Sequence, residues 1–316
     1  DWRAALERAA RTLGYVLVNR LIFYEAVRAR FDELPELSLP SRTRTAEDAA
    51  EHLRSLFAKA VQATGDYEPL FYPQVGEWTH LLVFKGDGSL DAWRSVIKAI
   101  HKYDLKKLHI DVIGKIFQRL ISPEERHKYG QHYTDERIVD VINSFCIRTP
   151  DAAVLDPACG SGTFLVRAYY RKRWLGGVAH QRLLEDLYGC DISLFAAHLA
   201  TLNLASRDIR HEENYPRIRR SNFFEVEPSS PFCALPGPEK TVRRINLPPL
   251  DAVVGNPPYV RQESIARRSQ KGVSEKQTKE YLRELAGRAW PGLQLSGRSD
   301  LHCYFWPAST WRLKQG

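Results

Sequence analysis

The stretch Val154-Leu155-Asp156-Pro157-Ala158-Cys159-Gly160-Ser161-Gly162-Thr163-Phe164 joins a short apolar run to a glycine-bearing turn and then to a helical pattern. Two further apolar runs, Leu187-Tyr188 and Ala252-Val253-Val254, also end in polar or glycine-containing turns, and amphipathic helical patterns follow the first two runs. Short buried strands alternating with helices build a parallel sheet covered on both faces, so this part of the chain is predicted to be an α/β, Rossmann-like domain. In such open sheets ligands gather at the carboxyl ends of the strands, which places the chemistry in the three turns.

Outward from this core, the first third of the chain reads as helix. Leu6, Leu13, Val16, Leu17, Leu21, Tyr24, Val27 and Phe31 recur at three- and four-residue intervals and lay one apolar stripe along a long helix, which Pro35 and Pro40 close. Thr45 and Asp48 form a capping pair ahead of Leu53, Leu56, Phe57 and Val61. Helical periodicity returns at Trp93, Val96, Ile97 and Ile100, and again at Ile110, Ile113, Phe117 and Leu120. Pro69, Pro73, Gly76, Gly86 and Gly88 interrupt the pattern, with a short strand predicted over 79–84. The expected organisation is a mainly helical N-terminal domain over residues 1–128 and the α/β domain over residues 129–316.

A chain of 316 residues, 43% apolar and 27% charged, has enough material for two folded domains. No run approaches the roughly eighteen consecutive apolar residues of a bilayer span, and no signal peptide opens the sequence. An intracellular, cytoplasmic protein with no membrane partner is expected. Five scattered cysteines without CxxC spacing argue against a disulfide framework and against a zinc site. The net charge of +8 is compatible with a polyanionic partner. The absence of methionine and the Asp at position 1 predict that parts of the natural chain are missing from this sequence; an intact mass of 36.2 kDa would refute that.

In the first turn, Gly160 and Gly162 let the backbone pass close beneath a ligand, while the N–H groups opening the next helix face it. The third glycine of the dinucleotide fingerprint is missing, and Asp191 follows far beyond the roughly twenty-residue offset that a nicotinamide cofactor favours. Asp191 ends the second run, where an acid either accepts the hydroxyls of a ribose or caps the following helix. The third turn, Gly255-Asn256-Pro257-Pro258-Tyr259, has two prolines that fix φ and remove two backbone donors. An amide oxygen on Asn256 and the carbonyl of Pro257 are two acceptors suited to an exocyclic NH2, and Tyr259 offers a flat face to a planar base.

Residues 156–164 and 256–259 resemble the cofactor and catalytic motifs of N6-adenine DNA methyltransferases. Gly130-Gln131-His132-Tyr133-Thr134-Asp135 is similar to that family's additional cofactor motif, with Asp135 where proline is usual. Its position ahead of the glycine turn matches the gamma arrangement. Residues 113–126 resemble the lead-in of type I, type IIG and phage-defence methylases, and Asn19-Arg20-Leu21-Ile22-Phe23 resembles their N-terminal helical domain.

The resemblance implies the S-adenosylmethionine-dependent methyltransferase fold and a site-specific adenine N6-methyltransferase of a restriction-modification or phage-defence system. It implies S-adenosylmethionine held by Tyr133, Thr134, Asp156, Ala158, Gly160, Gly162, Asp191 and Asn222, the last standing where many members carry Asp. Catalysis falls to Asn256, Pro257 and Tyr259 on an adenine flipped from double-stranded DNA, with no metal required. Arg261, Arg267, Arg268 and Lys271 belong to a basic segment that suits either phosphate contact or a solvated helix face. Trp290, Tyr304, Phe305, Trp306 and Trp311 are expected in the core rather than as base platforms, and neither His132 nor His198 is needed for the chemistry.

The chain stops where the family would begin its fifth strand, which predicts truncation before that strand and before the target-recognition region, and a bare sheet edge beside the catalytic strand. A C-terminal target-recognition region, or a separate specificity, nuclease or translocase subunit, is the implied partner. The rival readings are methylation of RNA guanine N2 or of protein glutamine, and a non-catalytic DNA-binding subunit of a defence complex.

Overall fold

The computed structural model describes residues 2–29, 31–64, 83–103, 134–176, 179–208, 214–236, 242–259, 275–296 and 298–315. The chain divides into two compact units, Asp1–Ile121 with Ala205–Tyr215, and Ser122–Leu204 with Pro216–Gly316.

In the first unit, α1 (Trp2–Arg28), α2 (Ala46–Thr64) and α3 (Ser89–Ile100) supply the described secondary structure. Leu17, Leu21, Phe23, Tyr24 and Val27 of α1 and Leu53, Leu56 and Phe57 of α2 are buried, with the rings of Tyr24 and Phe57 6.1 Å apart. The apolar stripe of α1 is shorter than its periodicity predicts: Leu6 is exposed and Phe31 lies past the helix end. The capping pair is reciprocal, since Asp48 N–H donates to Thr45 Oγ1 at 3.0 Å and Thr45 N–H to Asp48 Oδ2 at 3.3 Å. Arg94 of α3 donates to the carbonyls of Leu39, Pro40 and Thr43, which satisfies a proline-bearing stretch that has few partners of its own. Val83 and Phe84 form a turn where the short strand was expected; residues 79–82 and the helix expected near 110–120 lie outside the described residues. No helix among the described residues is long and apolar enough to cross a membrane.

The second unit is built on a four-stranded parallel sheet in the order β3-β2-β1-β6, with β1 Val154–Asp156, β2 Leu187–Asp191, β3 Arg217–Arg220 and β6 Ala252–Val253. β4 (Pro231–Pro236) and β5 (Val242–Asn246) form a separate antiparallel hairpin. Strands β1 and β2 are buried throughout, as the unbroken apolar runs require of a sheet covered on both faces. The helices are α4 (Glu136–Cys146), α5 (Thr163–Trp174), α6 (His180–Glu185), α7 (Leu194–Ala205), α8 (Glu275–Ala289) and α9 (Leu301–Thr310). Phe164, Leu165 and Ala168 of α5 pack with Val139 of α4 and Leu204 of α7 on one side, while Phe223, Phe305, Leu282 and Tyr304 fill the other.

Two buried cations fasten this frame. Lys172 donates to the Ala152 carbonyl at 2.6 Å and Asp186 Oδ2 at 3.1 Å, tying the end of α5 to the strand starts. Arg312 donates to the carbonyls of Val226 and Phe223 and lies over the Phe223 ring at 4.3 Å. Burial lowers its pKa to about 10, so it stays charged at neutral pH.

The chain runs outward through β1, β2 and β3 and then returns to the opposite flank of β1 with β6. The strand order therefore reverses between β1 and β6, and the crevice at the carboxyl ends there is where a doubly wound sheet takes its ligand. The edge expected to be bare is in part covered. Leu313 makes a parallel bridge to Leu250, with Leu250 N–H donating to Arg312 O at 3.0 Å and Lys314 N–H to Leu250 O at 2.8 Å. Just before β6, Asp251 accepts from Ala153 N–H through Oδ2 at 2.8 Å and from Lys314 Nζ at 2.6 Å and 2.7 Å.

Candidate active site

The three turns meet at the reversal point. After β1, Gly160 and Gly162 have φ of 53° and 85°, the left-handed region that glycine enters at least cost. Nothing stands within 4 Å of where a Cβ on Gly160 would be, so that side of the turn is open. The turn is held from beneath: Gly160 N–H donates to Asp191 Oδ2 at 3.0 Å, and Cys159 N–H donates to the Cys190 carbonyl at 2.9 Å. Asp191 Oδ1 accepts from Ser193 N–H at 2.8 Å, and it is Ser193 Oγ that accepts from Ala196 N–H at 3.4 Å in the first turn of α7. The capping alternative for Asp191 thus falls to Ser193. Asp191 is a strut between β2 and the glycine turn, and each of its oxygens keeps a further acceptor position.

Asp156 is 1% exposed and accepts from Ala158 N–H at 3.1 Å. Burial foremost, with the neighbouring Asp191 adding to it against the Ala158 hydrogen bond, pushes its pKa up to about 8. Burial raises Asp191 as well, opposed by the N–H groups of Ser193 and Gly160. Among the described residues neither carboxyl has a basic partner, so the pair forms a buried acidic floor beneath the glycine turn.

Gly255 brings the third turn onto this floor. A Cβ at Gly255 would lie 2.7 Å from Asp156 Oδ1 and 3.2 Å from Pro157 Cδ, so only glycine allows the approach. Gly255→Ala is expected to cost about 1–3 kcal/mol of unfolding free energy through overpacking, measured by denaturant titration. The next residue, Asn256, donates its Nδ2 to Thr134 Oγ1 at 3.1 Å across 122 positions of sequence. Pro257 and Pro258 are half-buried, while Tyr259 is 56% exposed with its ring centroid 5.3 Å from that of His302.

Of the residues singled out in the sequence, Thr134, Asp156, Ala158, Gly160, Gly162, Asp191, Asn256, Pro257 and Tyr259 lie on these turns or bond to them. Asn222 follows β3, where it caps the 3-10 turn 223–225, its Oδ1 accepting from Phe224 N–H at 3.3 Å and its Nδ2 donating to Glu225 at 3.3 Å. Tyr133, Arg261, Arg267, Arg268 and Lys271 lie outside the described residues. The aromatic expectation is corrected in part. Tyr304 and Phe305 are buried, with Phe305 stacked on Phe223 at 5.4 Å, and Trp311 packs against the core; Trp290 and Trp306 are exposed. In α9, Tyr304, Phe305 and Ala308 take the inner face, which turns Trp306 outward, while Trp290 follows the end of α8. The sequence reading missed His302, which carried no motif, and Gly255, whose need to be glycine shows only once β1 and β6 are neighbours. Asp135 N-caps α4 by accepting from Arg137 N–H at 2.9 Å, so the residue standing where proline is usual starts the helix by another means. The described residues contain no group of three or more metal-ligating side chains.

The parallel sheet thus brings an acidic floor and an Asn-Pro-Pro-Tyr turn together at its reversal point. The profile of the N-6 DNA methylase family matches residues 108–284, more than half of the chain, and the chain belongs to that family. It is 31% identical over 136 residues to the methylase subunit of the type I restriction enzyme MjaVII from Methanocaldococcus jannaschii, a match covering 42% of this chain and 22% of that protein. Among solved structures, the type IIG restriction endonuclease BpuSI superposes with a TM-score of 0.55 at 16% identity, covering 98% of this chain and 30% of that one. A chain of a type I R-M system complex does so with a TM-score of 0.50 at 17% identity, covering 97% and 56%. These two likenesses show the fold, which is the fold expected from the sequence.

Proposed function

We propose that this chain carries the catalytic centre of an adenine N6-specific DNA methyltransferase of a restriction-modification or phage-defence system, with S-adenosylmethionine as methyl donor and double-stranded DNA as acceptor. The observation that carries the reading is the closeness of the Asn256 turn to the acidic floor, enforced at Gly255. S-adenosylmethionine supplies, when bound, a methyl group activated on a positively charged sulfur. Asp156 and Asp191 answer its positive charge and ribose hydroxyls, and the Gly160–Gly162 turn, with Ala158, gives its backbone room. Tyr133 and Asn222 belong to the same proposed cofactor set.

On the acceptor side, Asn256 Oδ1 and the Pro257 carbonyl take hydrogen bonds from the two protons of an adenine amino group. That favours a pyramidal nitrogen and frees a lone pair otherwise delocalised into the ring. The exposed ring of Tyr259 stacks on the extruded base and offsets part of the few kcal/mol lost on unstacking. Arg261, Arg267, Arg268 and Lys271 are proposed to hold the phosphate backbone. Recognition of the DNA sequence is assigned to a C-terminal target-recognition region or a separate specificity subunit, with a nuclease or translocase as the further partner. A helical domain over residues 1–128 and a catalytic domain over residues 129–316 are proposed, close to the division of the compact units after Ile121.

Incubation of the natural protein and its partner subunits with unmethylated genomic DNA and methyl-labelled S-adenosylmethionine is expected to place the label on adenine N6. Label recovered in RNA or protein instead would overturn the substrate assignment.

A further inference from the structure

We propose that Asn203 is a positioning residue that sets the shape of the glycine turn against which the cofactor binds. This rests on the reading of that turn as part of the S-adenosylmethionine site. Residues 159–162 form a β-turn closed by Gly162 N–H, which donates to the Cys159 carbonyl at 2.7 Å. Gly160 and Gly162 sit at φ of 53° and 85°, a region that glycine enters and leaves with almost equal ease. Local preference therefore does not hold the turn in one shape, and contacts from outside must.

Two such contacts are made, one on each peptide flanking the tip. On the peptide entering the turn, Gly160 N–H donates to Asp191 Oδ2 at 3.0 Å. On the peptide leaving it, the Ser161 carbonyl accepts from Asn203 Nδ2 at 2.7 Å. N–H and C=O of one trans peptide point in opposite directions, so a Gly162 N–H directed into the turn sends the Ser161 carbonyl out toward Asn203. A backbone carbonyl only accepts, which fixes the sense of this hydrogen bond and puts the amide nitrogen of Asn203 toward the turn. Between the two clamped peptides lies the central one, Gly160 C=O and Ser161 N–H, for which no hydrogen bond is found among the described residues. That peptide is left to meet a ligand, and its tilt follows from the clamps on either side.

Asn203 is itself held firmly. It is 2% exposed in α7, between the buried Leu202 and Leu204, and Leu204 packs with Phe164 of α5 and Val139 of α4. One turn earlier in α7, Ala200 lies so near that a Cβ on Gly162 would be 3.1 Å from its Cα. The turn thus abuts α7 at Gly162 and is tethered to it at Ser161. Burying an amide in so apolar a helix is costly unless it is bonded, and the bond it makes is to the turn.

The test uses the natural protein with Asn203→Leu, which keeps the bulk and removes the donor, and Asn203→Ala, which removes both. Three quantities are measured: S-adenosylmethionine affinity by calorimetric titration, single-turnover methyl transfer at saturating cofactor, and the thermal unfolding midpoint. Asn203→Leu is expected to bind cofactor about tenfold more weakly, because the turn loses one clamp, while transfer from the saturated complex stays within about threefold of the parent. A folded Asn203→Leu protein that binds cofactor as tightly as the parent overturns the proposal, whatever its midpoint, since a packing role alone moves the midpoint and leaves the affinity. If Asn203→Leu does not fold, Asn203→Ala decides by the same comparison. Wild-type protein that binds no S-adenosylmethionine overturns the cofactor reading, and this proposal falls with it. Wild-type protein that binds it but labels no adenine overturns the acceptor reading alone, and the affinity comparison still decides the role of Asn203.

Discussion

Asn256→Ala is expected to reduce single-turnover methyl transfer by a factor of about 100 to 1,000 or more, the effect of deleting one preorganised hydrogen-bonding group at a reacting centre. The substitution removes the side-chain acceptor and leaves the Pro257 carbonyl alone to hold the amino group. Nothing that shapes the acidic floor is altered, because the Asp156 and Asp191 hydrogen bonds run to Ala158, Gly160 and Ser193. Cofactor affinity in a direct titration is therefore expected to stay within about threefold of the parent, a change worth less than about 1 kcal/mol. The same variant is expected to extrude its target base, monitored by the fluorescence of a 2-aminopurine placed at the methylated position, since Tyr259 remains to stack on it. Retained transfer would remove Asn256 from the chemistry; lost cofactor binding would make it part of the floor instead.

The second large effect is a pH dependence written into Asp156. Its pKa of about 8 in the ligand-free protein means that the carboxyl is protonated at neutral pH. A cationic ligand above it favours the carboxylate and releases the proton, so affinity rises with pH by up to about tenfold per unit and levels off above about pH 8. Calorimetric titration between pH 6 and pH 9 in buffers of different ionisation enthalpy measures both the slope and the proton released.

The sign for stability is opposite. The folded pKa exceeds the unfolded value of about 3.9, so the contribution of the buried neutral carboxyl is fully present below about pH 4 and is lost as pH rises toward about 8. Asp156→Asn is expected to bind cofactor at least tenfold more weakly at about pH 8, with a flatter pH profile, and to be the more stable protein at that pH by a few kcal/mol. Equal cofactor affinity in the two proteins across the range would remove Asp156 from the site.

The parallel core was legible because its strands are short and buried on both faces, so apolar runs and the turns that end them carry the message without help from distant residues. The hairpin of β4 and β5 was not. Its arms mix Phe232 and Leu235 with Arg243 and Arg244 and carry a register shift between Pro231 and Cys233, which blurs a two-residue period. The acids and the Asn-Pro-Pro-Tyr turn could be picked out because their chemistry is local. What each touches could not. Asp191 was read as ribose ligand or cap, and neither choice includes its grip on Gly160, which exists only because β1 and β2 are neighbours. The pairing of Thr134 with Asn256 has the same origin, and periodicity cannot signal a contact between loops so far apart in sequence. Trp306 failed for a simpler reason: helical spacing marks a face, but two aromatic faces on one short helix cannot both be inner, and Trp290 lies just past the end of α8, where helical spacing no longer decides its side.

β6 spans only Ala252–Val253, too little backbone to choose its own alignment against β1. A slip by one residue would turn every side chain on it to the opposite face. Asp251, clamped by the backbone of one neighbour and the ammonium of another, acts as the index pin that prevents the slip. The placing of the Asn256 turn is thus calibrated at the far end of its strand, by a carboxylate outside the proposed site.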